Sequence, residues 1–431
     1  MPKIGLMTLL SIMALLSCTF ALPQMPIRRP FIPIHHAGDG REVLADLRIL
    51  QFNMLADGLS GLRADLGGFS KAKREDMDWS SRKIKLMYEI LQYDPDVITL
   101  QEVPCTPCYN AYETSSNAIF IPTTQPLSPT PLPLPHPTPS PHPPTPQCDH
   151  YYDFFLPELA KEGYDGMFAP KPASACLEVS DRSDGCAIFL KRDKIRAVSS
   201  EIWQNLRVQN QVALIAICEV LTKDGDVCTS VVVATTHLKA AKTADGELCR
   251  YGETQQLLSA IHNCSRKFWQ YCRREGGGVG ELPVVLTGDL NACPTHRSSQ
   301  FGFNCTVYPL IKEHPMQLRS VMNDDLVMSP EGVLSSSVSA HSDTRVPSQS
   351  GSEGAKDTVW TTWKSRWKKG KENVVRHCID YIMYSSGNVR AASAVDIFSD
   401  AQIAPELFPS STYPSDHISL VADLQILGEQ S

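Results

Sequence analysis

Polar residues of a few types stand where the apolar, β-branched runs of this chain stop. Asn53 follows Leu47–Phe52, Glu102 follows Val97–Gln101, and His237 follows Thr229–Thr236. Asp289 and Asn291 follow Pro283–Thr287, and Asp380 lies inside His377–Tyr384. Asp416 and His417 end a Tyr-Pro-Ser-Asp-His run just ahead of the last apolar stretch. Carboxylates without clustered cysteine or histidine suit a hard cation with oxygen ligands, usually Mg²⁺, with Mn²⁺ as a substitute. Two histidines and an amide beside it suit phosphate chemistry, where charge must be neutralised and a water activated. Residues hundreds of positions apart can do this together only if the strands that carry them end at one rim of a sheet.

The elements that must position them can be read from periodicity. Strands are expected at Gly185–Leu190, Val212–Val220, Thr229–Thr236, Pro283–Thr287, Ile379–Tyr384 and His417–Leu427, besides those delivering Asn53 and Glu102. Ser80 to Gln92 reads as an amphipathic helix with Ile84, Met87, Tyr88 and Leu91 on its inner face, closed by Asp94-Pro95. Arg250 to Cys272 reads as a second helix. Strands mixed with a few long helices, without strict alternation, predict an α+β fold with two sheets packed face to face.

The candidate residues run from Asn53 to His417 of 431 residues, so one large domain is expected rather than several. Hydrophobic content of 42% is ample for its core, and the net charge of −7 argues against a broad basic groove for long nucleic acid. The fourteen cysteines show no framework spacing and read as buried thiols. Cys293, close to Asn291, reads as packing, since the sequence places no base for it.

Residues 1–24 carry Lys3, an apolar run from Ile4 to Phe20 and small residues from Ser17 to Ala21, the layout of a secretory signal peptide. A membrane anchor and a mitochondrial presequence are the alternatives, and against the latter stands the lack of arginine before Arg28. The apolar run is short for a span of roughly 20 residues, so no stable membrane span is expected in the mature protein. Residues 25–45 read as a linker and 46–428 as the catalytic domain.

Two stretches interrupt that domain. Residues 328–357 are Ser/Gly-rich and read as a surface loop. Residues 104–148 are stranger, because they open two residues after Glu102, where a metal-site loop should be short, and Ile121–Gln147 within them holds twelve of the 32 prolines. The segment reads either as a polyproline linker or as a translated intron, since Pro, Leu and Ser codons are pyrimidine-rich and Gln147 can be encoded by CAG. The intron reading is favoured, and on it Cys105 and Cys108 form no metal motif.

Leu100-Gln101-Glu102-Val103, Gly288-Asp289-Leu290-Asn291 and Ser415-Asp416-His417, in this order, resemble the endonuclease/exonuclease/phosphatase superfamily. Within it, Gln51-Phe52-Asn53-Met54-Leu55-Ala56, Ala169-Pro170-Lys171-Pro172, Asp184-Gly185-Cys186-Ala187, Thr236-His237-Leu238-Lys239-Ala240 and Thr361-Thr362-Trp363-Lys364 narrow the likeness to the nocturnin family. The cytoplasmic deadenylases are more distant cousins. Joining Val103 to Asp149 restores the family's pattern, which supports the intron reading.

The resemblance implies a four-layer α/β sandwich, a Mg²⁺-dependent phosphoesterase and a monomer. It makes Glu102 the main metal ligand, oriented by Asn53, with Asp416 as a second candidate ligand. It gives Asp289 the attacking water, Asn291 a phosphoryl oxygen, and His417, polarised by Asp380, the developing negative charge. His237 would bind the phosphate, while Lys171, Lys239 and Lys242 would supply positive charge to it. Removal of the 2′-phosphate of NADP⁺ or NADPH is the activity implied first, and 3′-exonuclease action on poly(A) RNA second. A non-catalytic RNA- or protein-binding member is a third reading, against which no metal or water-activating residue is missing. The chain departs from the family after Ala240, where Ala241 and then Lys242 stand in place of an arginine. The family's work on nucleotides implies cytoplasm or mitochondrion, in conflict with the signal-like N-terminus.

Overall fold

The computed structural model describes residues 24–34, 40–60, 68–105, 150–172, 174–178, 183–204, 206, 211–272, 280–294, 303–322, 360–404 and 406–428. Most of the signal-like segment, the Pro-rich segment from residue 106 onward and the Ser/Gly-rich segment lie outside the described residues.

One sheet has seven strands in the order β1 (Phe31–Pro33), β14 (Val389–Val395), β15 (Leu420–Leu427), β2 (Val43–Asn53), β3 (Val97–Cys105), β5 (Ser183–Lys191) and β4 (Tyr164–Pro170). The other has six, β10 (Leu318–Ser320), β13 (Asp380–Ser385), β9 (Val284–Asp289), β8 (Val227–His237), β7 (Val212–Leu221) and β6 (Ile195–Gln204). Alternation along the strands sends one set of side chains between the sheets and the other outward. Leu47, Ile49 and Ile188 meet Leu214, Val233 and Val285 in the middle layer. Leu50, Phe52 and Leu100 pack outward beneath α1 (Trp79–Leu91), and Val232, Val284 and Leu286 pack against Leu257 and Ile261 of α2 (Ala244–Cys272). The result is the four-layer α/β sandwich with two mixed sheets.

Topology brings the chemistry to one rim. β2 and β3 pair in parallel, as do β8 and β9, so all four carboxyl ends point the same way. β13 and β15 run antiparallel to β9 and β2 and so begin at that rim. A hairpin, β11 (Thr362–Lys368) and β12 (Lys371–His377), stands beside it, joined through the Thr362–His417 bridge.

Several expectations need correction. The 25–45 linker is part of the fold, because β1 pairs with β14 and Arg29 is buried with its Nη2 2.9 Å from Glu89 Oε1. Pro104 and Cys105, assigned to the inserted segment, continue β3 and pair with Asp184 and Ser183 of β5. The inner face of α1 holds Leu86 and Ile90 with the charged Arg82, Lys85 and Glu89, and of the four apolar residues expected there only Met87 is fully buried. Charges point inward because each has a partner. Arg82 donates to the carbonyls of Pro414 and Met54 and to Asp57, and Glu89 receives Arg29. Strands β4, β6 and β14 had no sequence assignment, since polar or small residues interrupt their apolar pattern. Among the described residues no helix is long and apolar enough to cross a membrane.

Candidate active site

At the rim the middle layer changes from apolar to polar. Gln51 donates to Gln101 at 2.6 Å and Gln101 to Thr235 at 3.0 Å, so buried amides tie the two sheets together beneath the site. On β3 both Gln101 and Glu102 must reach inward, which strict alternation forbids. A register shift between Leu100 and Val103, with Glu102 at φ 57°, turns its carboxylate toward the other sheet. A left-handed residue other than glycine costs on the order of 1 kcal/mol or more, and such strain clusters at functional positions. Across the cleft Gly288 has φ 143°, and a Cβ there would lie 2.1 Å from the Thr236 carbonyl. Only glycine lets β9 approach β8 closely enough to set Asp289 opposite His237.

Asn53 Nδ2 donates to Glu102 Oε1 at 3.2 Å and to Asp289 Oδ2 at 3.1 Å, bridging the two carboxylates. Glu102 Oε2 accepts the Ala56 amide at 3.0 Å, and the residue lines the cavity. Asp289 accepts the Asn291 amide at 2.9 Å. Burial, and then neighbouring Asp380, push the Asp289 carboxyl up to about 6.

The two histidines carry opposite charge states. Lys171 Nζ, held by Asp184 at 3.0 Å, donates to His237 Nδ1 at 3.1 Å. That contact places the ring proton on Nε2, which lies 3.5 Å from Asp289 Oδ2 and 4.0 Å from Glu102 Oε1. Burial, and then the Lys171 cation, hold His237 well below its ordinary value, so the ring is neutral. His417 Nδ1 lies 2.9 Å from Asp380 Oδ2, which also accepts Thr361 Oγ1 at 2.7 Å. Burial alone would lower His417, but Asp380 carries it up to about 9, so the ring is a cation that offers Nε2–H to the cleft.

Nine of the eleven residues expected at the site thus surround one cleft or stand directly behind it. Asn53, Glu102, His237, Asp289, Asn291, Asp380 and His417 are brought together, with Lys242 at their edge and Lys171 behind His237. Asp416 is adjacent but turned away. Burial would raise its carboxyl, yet Lys364 at 2.5 Å and Arg366 at 3.6 Å hold it far below the usual carboxylate range. Its Oδ2 is thereby committed to two cations, while its buried Oδ1 accepts no hydrogen bond among the described residues. Lys239 is not on the cavity wall, and its backbone is clamped between Glu253 and Arg250 of α2.

Lys242 settles the departure at Ala241. Arg250 takes up the Ala241 carbonyl at 2.6 Å, and Lys242 Nζ reaches Asn291 Oδ1 at 2.9 Å. Asn291 Nδ2 gives one proton to the Leu238 carbonyl at 3.1 Å, and an amide nitrogen has a second to offer. Burial pulls the Lys242 ammonium down to about 8. Cys293 is partly buried and pushed up to about 11 by burial, which leaves it an inert thiol.

Lys364 and Arg366 both reach Asp416 from β11. Their pairing with Asp416 depends on where β11 docks, which spacing in the sequence does not give. Above the floor lies a cavity of about 590 Å³, lined by Glu102, Asp289, His237 and His417 below and by Lys242 and Lys364 among its walls.

Two groupings could hold a cation. Asp289, Asp380 and His417 place one donor atom each within 4.8 Å of one another. The Asp380 oxygen facing His417 is already taken by that ring and by Thr361, so the trio is better described as a proton relay. Glu102, whose two oxygens each accept one hydrogen bond and keep lone pairs to spare, is with Asn53 and Asp289 the oxygen set that fits a hard divalent cation.

Residues 254–417 match the Endonuclease/Exonuclease/phosphatase family. Nocturnin of Mus musculus is 28% identical over 385 residues, covering 88% of this chain and 65% of that protein. Nocturnin of Drosophila melanogaster is 30% identical over 388 residues, covering 89% of this chain and 47% of that protein. The chain therefore spans about two thirds or less of the length of these relatives. The solved catalytic domain of human nocturnin with bound sulfate superposes with a TM-score of 0.53 at 24% identity, covering 92% of this chain and 97% of that one. The chain thus matches the endonuclease/exonuclease/phosphatase family over residues 254–417 and is similar to nocturnin over most of its own length.

Proposed function

We propose that this protein is a Mg²⁺-dependent phosphohydrolase that removes the 2′-phosphate of NADP⁺ or NADPH. The observation that carries the reading is the cavity. It is bordered by a hairpin and of small-molecule size, with a floor that pairs a neutral and a cationic histidine and walls that bear Lys242, Lys364, Lys368 and Arg376. A polynucleotide would call for aromatic side chains on which successive bases stack, and among the described residues no Phe, Tyr or Trp lines the cavity.

Glu102, steadied by Asn53 and the Ala56 amide, would hold the cation, which when bound neutralises charge on the phosphoryl group. Asp289 lies close enough to the same cleft to orient a water and accept its proton, and a carboxylate raised to about 6 is a better base than an ordinary one. His237 Nε2–H and the second Asn291 amide proton would hold non-bridging oxygens. His417, charged and backed by Asp380, would donate to the oxygen on which charge develops. Lys364, 3.4 Å from His417 Nε2, would add a cation at that oxygen.

The second reading, shortening of poly(A), uses the same floor and differs in what lies above it. Phosphate release from NADPH with Mg²⁺, repeated with chelator, tests the proposal. Metal-dependent release supports it, and absence of release with either dinucleotide excludes it.

A further inference from the structure

The hairpin carries cations past the catalytic floor. In β11, Lys364, Arg366 and Lys368 alternate onto one face, opposite Val375, Asn373 and Lys371 of β12. Lys364 is committed to Asp416. Arg366 is committed too, since it donates to the Leu59 carbonyl at 3.1 Å and its guanidinium lies 3.9 Å over the Phe69 ring. Lys368 is different: it lines the same cavity, is exposed, and makes no ion pair among the described residues. Asn373, across the hairpin, lines the cavity beside it.

The hairpin is not free to swing, which makes this placement meaningful. Ser70 donates its amide to the Ser365 carbonyl at 2.9 Å, and Trp367 donates to the Gly68 carbonyl at 2.9 Å. Its base is bridged to His417 through Thr362. Lys368 stands four residues beyond Lys364, about 13 Å along an extended strand, a distance that flexible lysine side chains can shorten. An anion held there would be separate from the reacting phosphate but part of the same compact molecule.

We propose that Lys368, with Asn373, forms a second anion subsite that takes the diphosphate bridge of a dinucleotide while its ribose phosphate sits on the floor at His417. The subsite rests on the dinucleotide-phosphatase reading and adds a specificity determinant to it. It distinguishes a dinucleotide from a mononucleotide with the same ribose phosphate, because only the former has a bridge to bind.

The test compares NADPH with 2′-AMP, which bears the reacting phosphate without the diphosphate, in the full chain and in Lys368→Ala, Lys368→Arg and Lys371→Ala. Lys371 lies across from Lys368 at the hairpin tip but does not line the cavity, so it controls for general electrostatics. Lys368→Ala is expected to raise KM for NADPH roughly five- to tenfold with kcat nearly unchanged, the size of a charge-assisted hydrogen bond discounted for exposure. KM for 2′-AMP should not move, Lys368→Arg should restore binding, and Lys371→Ala should behave as wild type. Equal effects on both substrates, or none on NADPH, would overturn the subsite while leaving the phosphatase reading intact. Failure of the wild type to release phosphate from either compound, with poly(A) shortened, would overturn both.

Discussion

The Nδ1 atom of His417 lies 2.9 Å from Oδ2 of Asp380, and both groups are buried. This contact decides the charge of the His417 ring. His417 is raised to about 9 and Asp289 to about 6, so turnover should rise through about pH 6 and fall through about pH 9. Asp380→Asn removes the carboxylate that favours the imidazolium. The alkaline limb should then move toward the ordinary histidine value of about 6.5, with kcat lowered about 10²- to 10⁴-fold. The stability sign follows from the same shift. Since the folded value lies above the unfolded one, the contribution is complete below about pH 6.5 and is lost as pH rises through about 9. Melting temperatures of wild type and Asp380→Asn across that window should converge on the alkaline side.

Glu102 is held in a strained backbone conformation and lines the cavity. Glu102→Ala should lower turnover on every phosphate substrate by about 10³-fold or more, while the fold remains intact. Mg²⁺ should raise the melting temperature of the wild type and leave that of the variant unchanged, because only a bound ion stabilises. Near wild-type turnover at moderate Mg²⁺ would remove Glu102 from the site.

The Arg29–Glu89 pair makes the N-terminal approach to the domain structural. Arg29 Nη2 also donates to Ser419 Oγ at 2.6 Å and to its carbonyl at 2.9 Å, joining the first described segment to α1 and to the chain just before β15. Arg29→Ala leaves a buried carboxylate uncompensated and should cost about 3–5 kcal/mol, read as a lower denaturant midpoint. Protein that starts at residue 46 should show a similar loss.

The Pro-rich segment should be dispensable. Each doubling of a flexible loop costs about 0.6 kcal/mol, so removing residues 106–147 should raise stability by about 1–2 kcal/mol and preserve turnover. Sequenced messenger RNA is expected to join Val103 or its neighbours to Cys148 or Asp149. Transcripts that uniformly encode the segment would defeat the intron reading.

Much of the site was legible because two signals coincide at Asn53, Glu102, His237, Asp289 and His417: a reactive residue type and the end of an apolar strand. The sandwich itself followed from the same runs. Other features depend on tertiary placement, which local patterns do not encode. Arg82, Lys85 and Glu89 look like a solvated helix face, and they are buried because partners from distant segments meet them. Lys364 and Arg366 look like an ordinary basic hairpin until β11 docks beside Asp416. The turn of Glu102 out of the strand pleat is a bulge that no residue in Gln101-Glu102-Val103 announces.

The central claim is that the cavity accepts a compact dinucleotide phosphate in preference to a polymer. The direct measurement is kcat/KM for phosphate release from NADPH beside that for shortening of a labelled poly(A) oligomer, in one Mg²⁺ buffer, with Glu102→Ala as the blank. The expected result is a higher value for NADPH and none for either substrate in the variant. Efficient Glu102-dependent shortening of poly(A), with NADP⁺ and NADPH untouched, would contradict it.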